Sequence, residues 1–375
     1  MNGLKRVGIL LAIAVFVIVL GESFAPGEIQ SRAIVLGLGV DVCADDPSKL
    51  RLTAEVVSPG NGSEQVGVFS KTVTSDGKSL GEAVAALAEK TGKEPSLGQC
   101  GVLLIGSGLY TTRDFSDVME FFVHSDSFNE NAVPCCTDNA EALMNNSAAL
   151  GQSVSITLVE ALREQAKKIA LPTNSMLKYA RSQVELSRTG YLNFVEFVPS
   201  QNSDEQSEGK AQGYFFYNRI AIFRTNRYVC TMTEEETRGF AAMTAKVVGD
   251  MFSVTHDGKN YALRTNGKDV KTEYVDGVMQ VDVQLQVKLA RADSADVGGM
   301  FTERSNKVLT EDMLAQAEQR ASSALAAFLN MQRRENADIA EFHEILRRIY
   351  GTTDELCNMP MSDIDVEVRV KVVER

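Results

Sequence analysis

The sequence predicts the α+β class, as an exported, multi-domain protein in which an N-terminal α/β-type unit precedes a C-terminal, antiparallel-rich sheet packed with long helices. Three observations support this class. The 375 residues exceed what one compact core usually holds. Strand-like and helical patterns alternate in the first half. The second half has strands, then two long helical patterns, then one final strand.

The composition excludes several classes of protein. With 44 % hydrophobic and 23 % charged residues, the chain is globular and neither disordered nor fibrous. Its 38 Lys and Arg against 50 Asp and Glu give a formal net charge of −12 without a basic stripe, which argues against nucleic acid as a partner. Since only one long apolar run is present, a polytopic membrane protein is also excluded.

That apolar run covers residues 7–21 and follows a basic pair, Lys5 and Arg6. At about 15 residues it is shorter than the ~20 that span the hydrocarbon core as a helix. A basic pair before a short apolar stretch is typical of an export signal. We therefore expect the rest of the chain to be translocated, which leaves an acidic body outside the cytoplasm.

The fate of residues 1–25 is open. Ser23 and Ala25 supply the small residues of an A-x-A-like cleavage site, but Pro26 would follow the cut and its rigid ring disfavours an extended scissile backbone. The segment is therefore expected to be either an export signal or an uncleaved N-terminal membrane anchor.

In the first half, strand patterns occur at residues 33–41, 50–57, 66–73, 101–106 and 191–198. Helical spacing occurs at residues 79–90, 115–124 and from 153 to just before 172. Ser79 with Glu82 three residues later resembles a capping box. Strands that alternate with helices predict an α/β unit.

A polar stretch without periodicity, residues 200–209, separates the two halves. It predicts a linker over residues 200–212 between an N-terminal domain of residues 26–199 and a C-terminal domain of residues 213–375.

In the second half, strands are expected at residues 213–223, 228–230, 281–289 and 364–372. Helices are expected after the capping box of residues 233–236, from near Thr310 and from near Asp338. Three dipeptides are typical of hairpin turns: Asp257-Gly258, Asn266-Gly267 and Asp276-Gly277. Strands, then helices, then a closing strand predict an α+β domain.

The six cysteines are Cys43, Cys100, Cys135, Cys136, Cys230 and Cys357. They form no C-x-x-C motif, and a chain of this length does not need disulfides to build a core, so we expect free thiols. The adjacent pair Cys135-Cys136 is expected to be two neighbours in a loop, because a vicinal disulfide is a rare alternative.

No motif predicts a catalytic, cofactor-binding or metal-binding residue. His124, His256 and His343 lack the spacing of a zinc site, and each is expected at the surface or at a helix end. Gly37-Leu38-Gly39 resembles half of a dinucleotide fingerprint but lacks the third glycine and leads into another strand. The residues alone predict no cofactor.

Longer segments form a recognisable series. In the first half they are residues 28–41, 52–59 and 102–106, and in the second half residues 220–229, 234–239, 338–339, 345–350 and 366–372. Their order and spacing from about Ile29 to Val373 resemble the C-subunit family of bacterial spore germinant receptors, the Ger(x)C proteins.

The chain departs from the family's usual anchor. Ger(x)C proteins are typically lipoproteins in which a box of small residues ends in an acylated Cys, followed by a Trp-Asp pair. Here Glu22 and Ser23 stand where the family has Cys, and the chain contains no Trp. The family's Pro after its late Tyr is Gly351. We therefore expect no lipidation residue, and a divergent member tethered by its N-terminal segment.

The resemblance implies a non-enzymatic subunit on the extracytoplasmic face of the spore inner membrane. Its implied partners are a polytopic germinant receptor subunit and a second, partly membrane-embedded one, which together sense nutrients and trigger germination. In this role the chain would be an assembly or transduction module without a cofactor and without nucleic acid.

Two alternatives come from other classes. An exported solute-binding or hydrolytic protein would use the cleft between two domains, and it predicts converging polar side chains with a perturbed carboxylate or histidine. A soluble secreted protein would require cleavage after Ala25.

Overall fold

The computed structural model describes residues 31–58, 70–112, 114–125, 127–146, 152–168, 171–199, 213–244, 251–292 and 309–374. In this part of the chain thirteen strands form two sheets, against which ten α-helices pack. This architecture confirms the predicted α+β class. The N-terminal segment with Glu22 and Ser23, and the predicted linker over residues 200–212, lie outside the described residues.

The first sheet has nine strands: β1 Arg32–Val42, β2 Leu50–Val57, β3 Ser70–Gly77, β4 Glu94–Ser96, β5 Val102–Gly106, β6 Val133–Thr137, β7 Thr189–Pro199, β8 Gly213–Arg224 and β9 Arg227–Thr231. Their order is β3-β2-β1-β5-β6-β7-β8-β9, and β4 pairs with the start of β1. The four central strands β1, β5, β6 and β7 are parallel, and the connections between successive members all contain helices, whereas antiparallel strands flank them at both edges.

Helices cover both faces of this sheet: α1 Leu80–Thr91, α2 Ser107–Tyr110, α3 Ser116–Val123, α4 Ala140–Met144, α5 Val154–Lys168 and α6 Met176–Ser182. One face packs against Leu87, Phe122 and Tyr179 of α1, α3 and α6. The opposite face packs against Leu143 of α4 and Leu158 of α5. Burial on both faces explains why the central strands are continuous apolar runs.

The second sheet has four strands in the order β10 Met251–His256, β11 Lys259–Val275, β12 Val278–Ala292 and β13 Val366–Glu374. Its first two pairs are antiparallel and β12 pairs with β13 in parallel. The helices of this part are α7 Glu234–Thr244, α8 Glu311–Glu335, α9 Phe342–Tyr350 and α10 Asp354–Asn358. The alternation predicted for β12 is confirmed, since Val281, Val283 and Leu285 are buried and Gln284 is exposed.

Several local predictions are confirmed at atomic detail. Ser79 Oγ accepts the Glu82 amide at 3.2 Å and begins α1. In the second capping box, Thr233 Oγ1 accepts the Glu236 amide at 3.2 Å and the Glu236 carboxylate accepts the Thr233 amide at 2.8 Å. Such bonds satisfy amides that the first helical turn leaves without partners.

Three local predictions are wrong. Asn266-Gly267 is no turn, because β11 continues through it with an irregular register. A Cβ at Gly267 would lie 2.4 Å from Gln286 Oε1, so a larger residue would have to displace that side chain. Cys135-Cys136 lies in the buried strand β6 and not in a loop. The helix expected from near Asp338 begins at Phe342.

The hairpin of β8 and β9 belongs to the first sheet, although it follows the predicted linker. On its other side, Ile220 and Ile222 of β8 pack into the same buried cluster as Phe240 and Val281, beside the second sheet. The two predicted domains therefore share a sheet and a core within the described residues, and a boundary at residues 200–212 stays a prediction.

Candidate functional site

A cleft of about 240 Å³ opens between α6 with the start of β7 and the segment that joins α8 to α9. The residues that line it are mostly of polar or charged types: Asn174, Lys178, Arg181, Ser182, Glu185, Thr189, Gly190, Tyr191, Asp338, Ile339 and Glu341. Side chains from the two halves of the sequence therefore meet here, which makes the cleft a product of the tertiary fold.

The first wall is the outer side of α6. Ser175 Oγ accepts the Lys178 amide at 3.2 Å, so the helix begins at Met176. Because Met176 and Tyr179 point into the core, Lys178 and Arg181 are left on the accessible side. Arg181 Nε donates to Glu185 Oε1 at 3.0 Å, and Lys178 Nζ lies 5.8 Å from the centre of the Tyr191 ring.

The floor is formed by Asn174 and the start of β7. Asn174 is buried, and its Nδ2 donates to the Tyr191 carbonyl at 2.9 Å. Its Oδ1 has no hydrogen-bond partner in the described part of the chain. At Gly190 a Cβ would lie 2.2 Å from Ser182 Oγ, so only glycine lets the strand approach α6 this closely.

The second wall is the segment after α8, and buried hydrogen bonds hold it. Gln332 Oε1 accepts the amides of Ile339 and Ala340, both at 3.0 Å. The chain turns at Asn336 and Glu341, whose φ angles are 50° and 62°. The left-handed region is costly for a residue with a Cβ, which makes Glu341 a strained position supported by its surroundings.

The electrostatics of the cleft centre on Glu341. Glu341 as a whole is exposed, but partial burial of its carboxyl group raises the pKa of that group. Repulsion by Glu185 and Asp338 raises the pKa further, whereas Lys178 and Arg348 act in the opposite direction. Glu341 forms no ion pair within 4.0 Å with any side chain that the structure describes. A perturbed carboxylate in a cleft is a candidate binding position.

Asp338 lies at the inner end of the same wall and is paired with His343. His343 Nδ1 lies 2.7 Å from Asp338 Oδ2, and His343 Nε2 lies 2.9 Å from the Met359 carbonyl. His343 does lie at a helix end, in the first turn of α9, but it is buried there and is not a surface residue. His124 is exposed at the end of α3, as expected.

The other positions considered in the sequence have structural roles. Gly37 and Gly39 give α5 and α4 close access to β1, since a Cβ would lie 2.1 Å from Ser155 Oγ and 2.8 Å from Ala140 Cβ respectively. The six cysteines all lie in the described residues and are free thiols.

The described part of the chain holds no group of three or more metal-ligating side chains, and none of its helices has the length and hydropathy needed to cross a bilayer. In the cleft, side chains of opposite charge surround an aromatic ring. Such a site suits a ligand that carries polar or charged groups. Sequence reasoning missed Lys178, Glu185 and Glu341, because nothing local indicates that they face one another.

Comparison with known proteins adds the biological context. The family model described as "Spore germination protein N-terminal domain" matches residues 27–196, and the model described as "Spore germination B3/ GerAC like, C-terminal" matches residues 218–374. No curated protein matches the chain. A solved structure, "Crystal Structure of the GerBC protein", is 14 % identical, with a TM-score of 0.47 over 90 % of this chain and 96 % of that chain.

Together the two family models cover most of the chain, the N-terminal model before the C-terminal one. These matches define a protein of the spore germination class. More particularly, the chain belongs to the Ger(x)C family, the GerAC-like C subunits of germinant receptors, which confirms the resemblance found in the sequence.

Proposed function

We propose that this chain is a non-enzymatic, membrane-associated subunit of a spore germinant receptor. In this role it assembles with polytopic and partly membrane-embedded subunits on the extracytoplasmic face of the spore inner membrane. The assembled receptor senses nutrients and triggers germination. The observation that carries the proposal is the match of both Ger(x)C family models, over residues 27–196 and 218–374.

Two features of the chain support this role. The apolar run of residues 7–21 after Lys5 and Arg6 would deliver the body across the membrane and hold it there if it is not cleaved. The body that follows is acidic, which disfavours direct adsorption to anionic lipid and favours attachment through the N-terminal segment and protein partners.

Co-purification from spore membranes tests the proposal. The full chain, tagged at its C-terminus, is expected to sediment with membranes, to keep residues 1–25 on N-terminal sequencing, and to bring down polytopic subunits identifiable by mass. A matched control replaces residues 1–25 with a cleaved export signal and should be recovered from membranes in a smaller amount, held there only through its protein partners. Full recovery of the native chain as a soluble, partner-free protein would refute the proposal.

The cleft favours a second candidate, an exported solute-binding or hydrolytic protein. The cleft has the converging polar side chains and the perturbed carboxylate, Glu341, that this alternative predicts. The discriminating measurement is turnover or saturable solute binding by the purified full chain in detergent. Turnover that Glu341→Gln abolishes would favour the alternative over the receptor role.

A further inference from the structure

The buried side chain of His343 has hydrogen-bond acceptors at both ring nitrogens. Nδ1 lies 2.7 Å from the carboxylate of Asp338, and Nε2 lies 2.9 Å from the carbonyl oxygen of Met359. A neutral imidazole carries a proton on only one nitrogen, so it satisfies only one of these acceptors. Both contacts are hydrogen bonds only when the ring is a protonated imidazolium.

The partner carboxylate is itself part of the backbone structure. Asp338 Oδ1 accepts the Phe342 amide at 3.0 Å, and Oδ2 accepts the His343 amide at 2.8 Å. The Asp338 carboxylate therefore both accepts the first two amides of α9 and is the counter-ion of its histidine. Met359 follows α10, so the imidazolium ties three pieces of chain together: the second wall of the cleft, the first turn of α9 and the segment after α10.

We propose that His343 is a proton-operated latch. Its imidazolium holds residues 337–341, the second wall of the cleft, in the position seen in the structure, and loss of one proton to solvent releases this wall. The inference concerns a device within the fold and does not depend on the proposed receptor role.

The direction of the effect follows from the groups around the latch. Burial opposes the charge on His343, but the hydrogen bond and the negative charge of Asp338, with the Met359 carbonyl, raise its pKa above the ordinary value. Around the adjacent wall, Glu341 faces Glu185 and Lys178 across the cleft and Arg348 on α9.

Because the folded-state pKa is raised, the stabilisation is complete below the unfolded value of about 6.5 and is lost as pH rises through the folded value. The equilibrium constant for opening of the wall should increase by about tenfold for each pH unit between the unfolded and the folded pKa of His343.

Hydrogen exchange of the full chain in detergent micelles tests the latch. After correction for intrinsic exchange chemistry, amides of residues 337–343 should exchange faster at pH 9 than at pH 6, while amides of β12 should not change. Asp338→Asn keeps one oxygen for capping but removes the charge, so it should move the transition to lower pH. His124→Gln, at an exposed helix end, is the matched control and should leave the profile unchanged.

Nitrogen NMR of histidine-labelled wild-type protein tests the proposal without a substitution at His343 or Asp338, so the result does not depend on whether such a variant folds. The chain has three histidines, and His124→Gln and His256→Gln identify the remaining signal as His343. This signal should titrate above the ordinary histidine pKa of about 6.5. A titration at or below that value, or corrected exchange at residues 337–343 that is equal at pH 6 and pH 9, would overturn the proposal.

Discussion

Two buried carboxylates in the first sheet accept hydrogen bonds from the first amides of helices that lie about a hundred residues further along the chain. Asp41 accepts the amides of Ala140 and Glu141 at 3.0 and 2.8 Å, at the start of α4. Glu55 accepts the amides of Val154 and Ser155 at 3.1 and 2.8 Å, at the start of α5. A carboxylate at a helix N-terminus satisfies free amides and complements the helix dipole, so these residues fix each helix to the sheet.

Glu55→Gln should therefore destabilise the protein. Glu55 is only 1 % exposed, and both oxygens accept backbone amides while Ser70 Oγ also donates to Oε1. The amide of Gln would turn an N–H donor toward a backbone N–H, at a cost of about 1–3 kcal/mol in the free energy of unfolding. Urea unfolding measures the change. Glu160→Gln, an exposed position on α5, is the control and should stay within about 0.5 kcal/mol of wild type. Equal stabilities of the two variants would contradict the capping role.

The cysteines should differ sharply in reactivity. Cys357 is exposed, Cys230 is half-buried, and the other four are buried free thiols. Burial raises the pKa of Cys100 and Cys230 to about 12, which leaves little thiolate at pH 8. Iodoacetamide should therefore modify Cys357 alone in the folded protein, and all six thiols in denaturant without reductant. Mass spectrometry counts the adducts, and fewer than six in denaturant would reveal a disulfide.

At the scale of single elements, the sequence predicts best where the controlling residues are neighbours in the chain. The cap Ser79, the start of a helix near Thr310 and the turns at Asp257 and Asp276 are local signals, and the structure confirms them. The Asn266-Gly267 signal failed because β11 continues through it with an irregular register, in which Gly267 pairs with Gln286 on the next strand.

The candidate site shows the same limit more strongly. Lys178 and Glu341 face one cleft from different halves of the chain, and the left-handed backbone at Glu341 is imposed by the bonds of Gln332 and Asp338 around it. No periodicity or motif predicts such a meeting, because tertiary packing alone creates it.

The crossing of α7 and α8 depends on one glycine. A Cβ at Gly239 would lie 2.0 Å from the Ala324 carbonyl oxygen, so Gly239→Ala should push the helices apart and destabilise the protein by about 1–3 kcal/mol. Gly81 in α1 is the matched control, because a Cβ added there would lie no closer than 3.8 Å to a neighbouring side chain. Gly81→Ala should stabilise the protein by up to about 1 kcal/mol through helix propensity. Thermal unfolding of both variants measures the two signs, and a Gly239→Ala variant that is as stable as the wild type or more so would show that the crossing is not close.

At the scale of the whole molecule, the shared β8 connects the two halves mechanically. One face of β8 contributes Ala221 and Phe223 to the core around α3 and α6, and the other contributes Ile220 and Ile222 to the core around α8. Arg224 Nη1 also donates to the Asn336 carbonyl at 2.8 Å, next to the second wall of the cleft. A displacement of the second sheet relative to the first therefore requires repacking of β8, which couples the cleft to both cores.

This coupling predicts that the two halves unfold together. Ile222→Ala removes a fully buried side chain from β8 and should cost about 2–5 kcal/mol. Because β8 serves both cores, hydrogen exchange through global unfolding should accelerate by the same factor at β1 and β5 as at β12. Ile349→Ala, at a side chain that is 51 % exposed on α9, is the control and should change neither the stability nor the exchange of these strands. Faster exchange at β12 with unchanged protection at β1 would instead establish two independently unfolding domains, and the boundary predicted at residues 200–212 would then describe the molecule better than the shared sheet does.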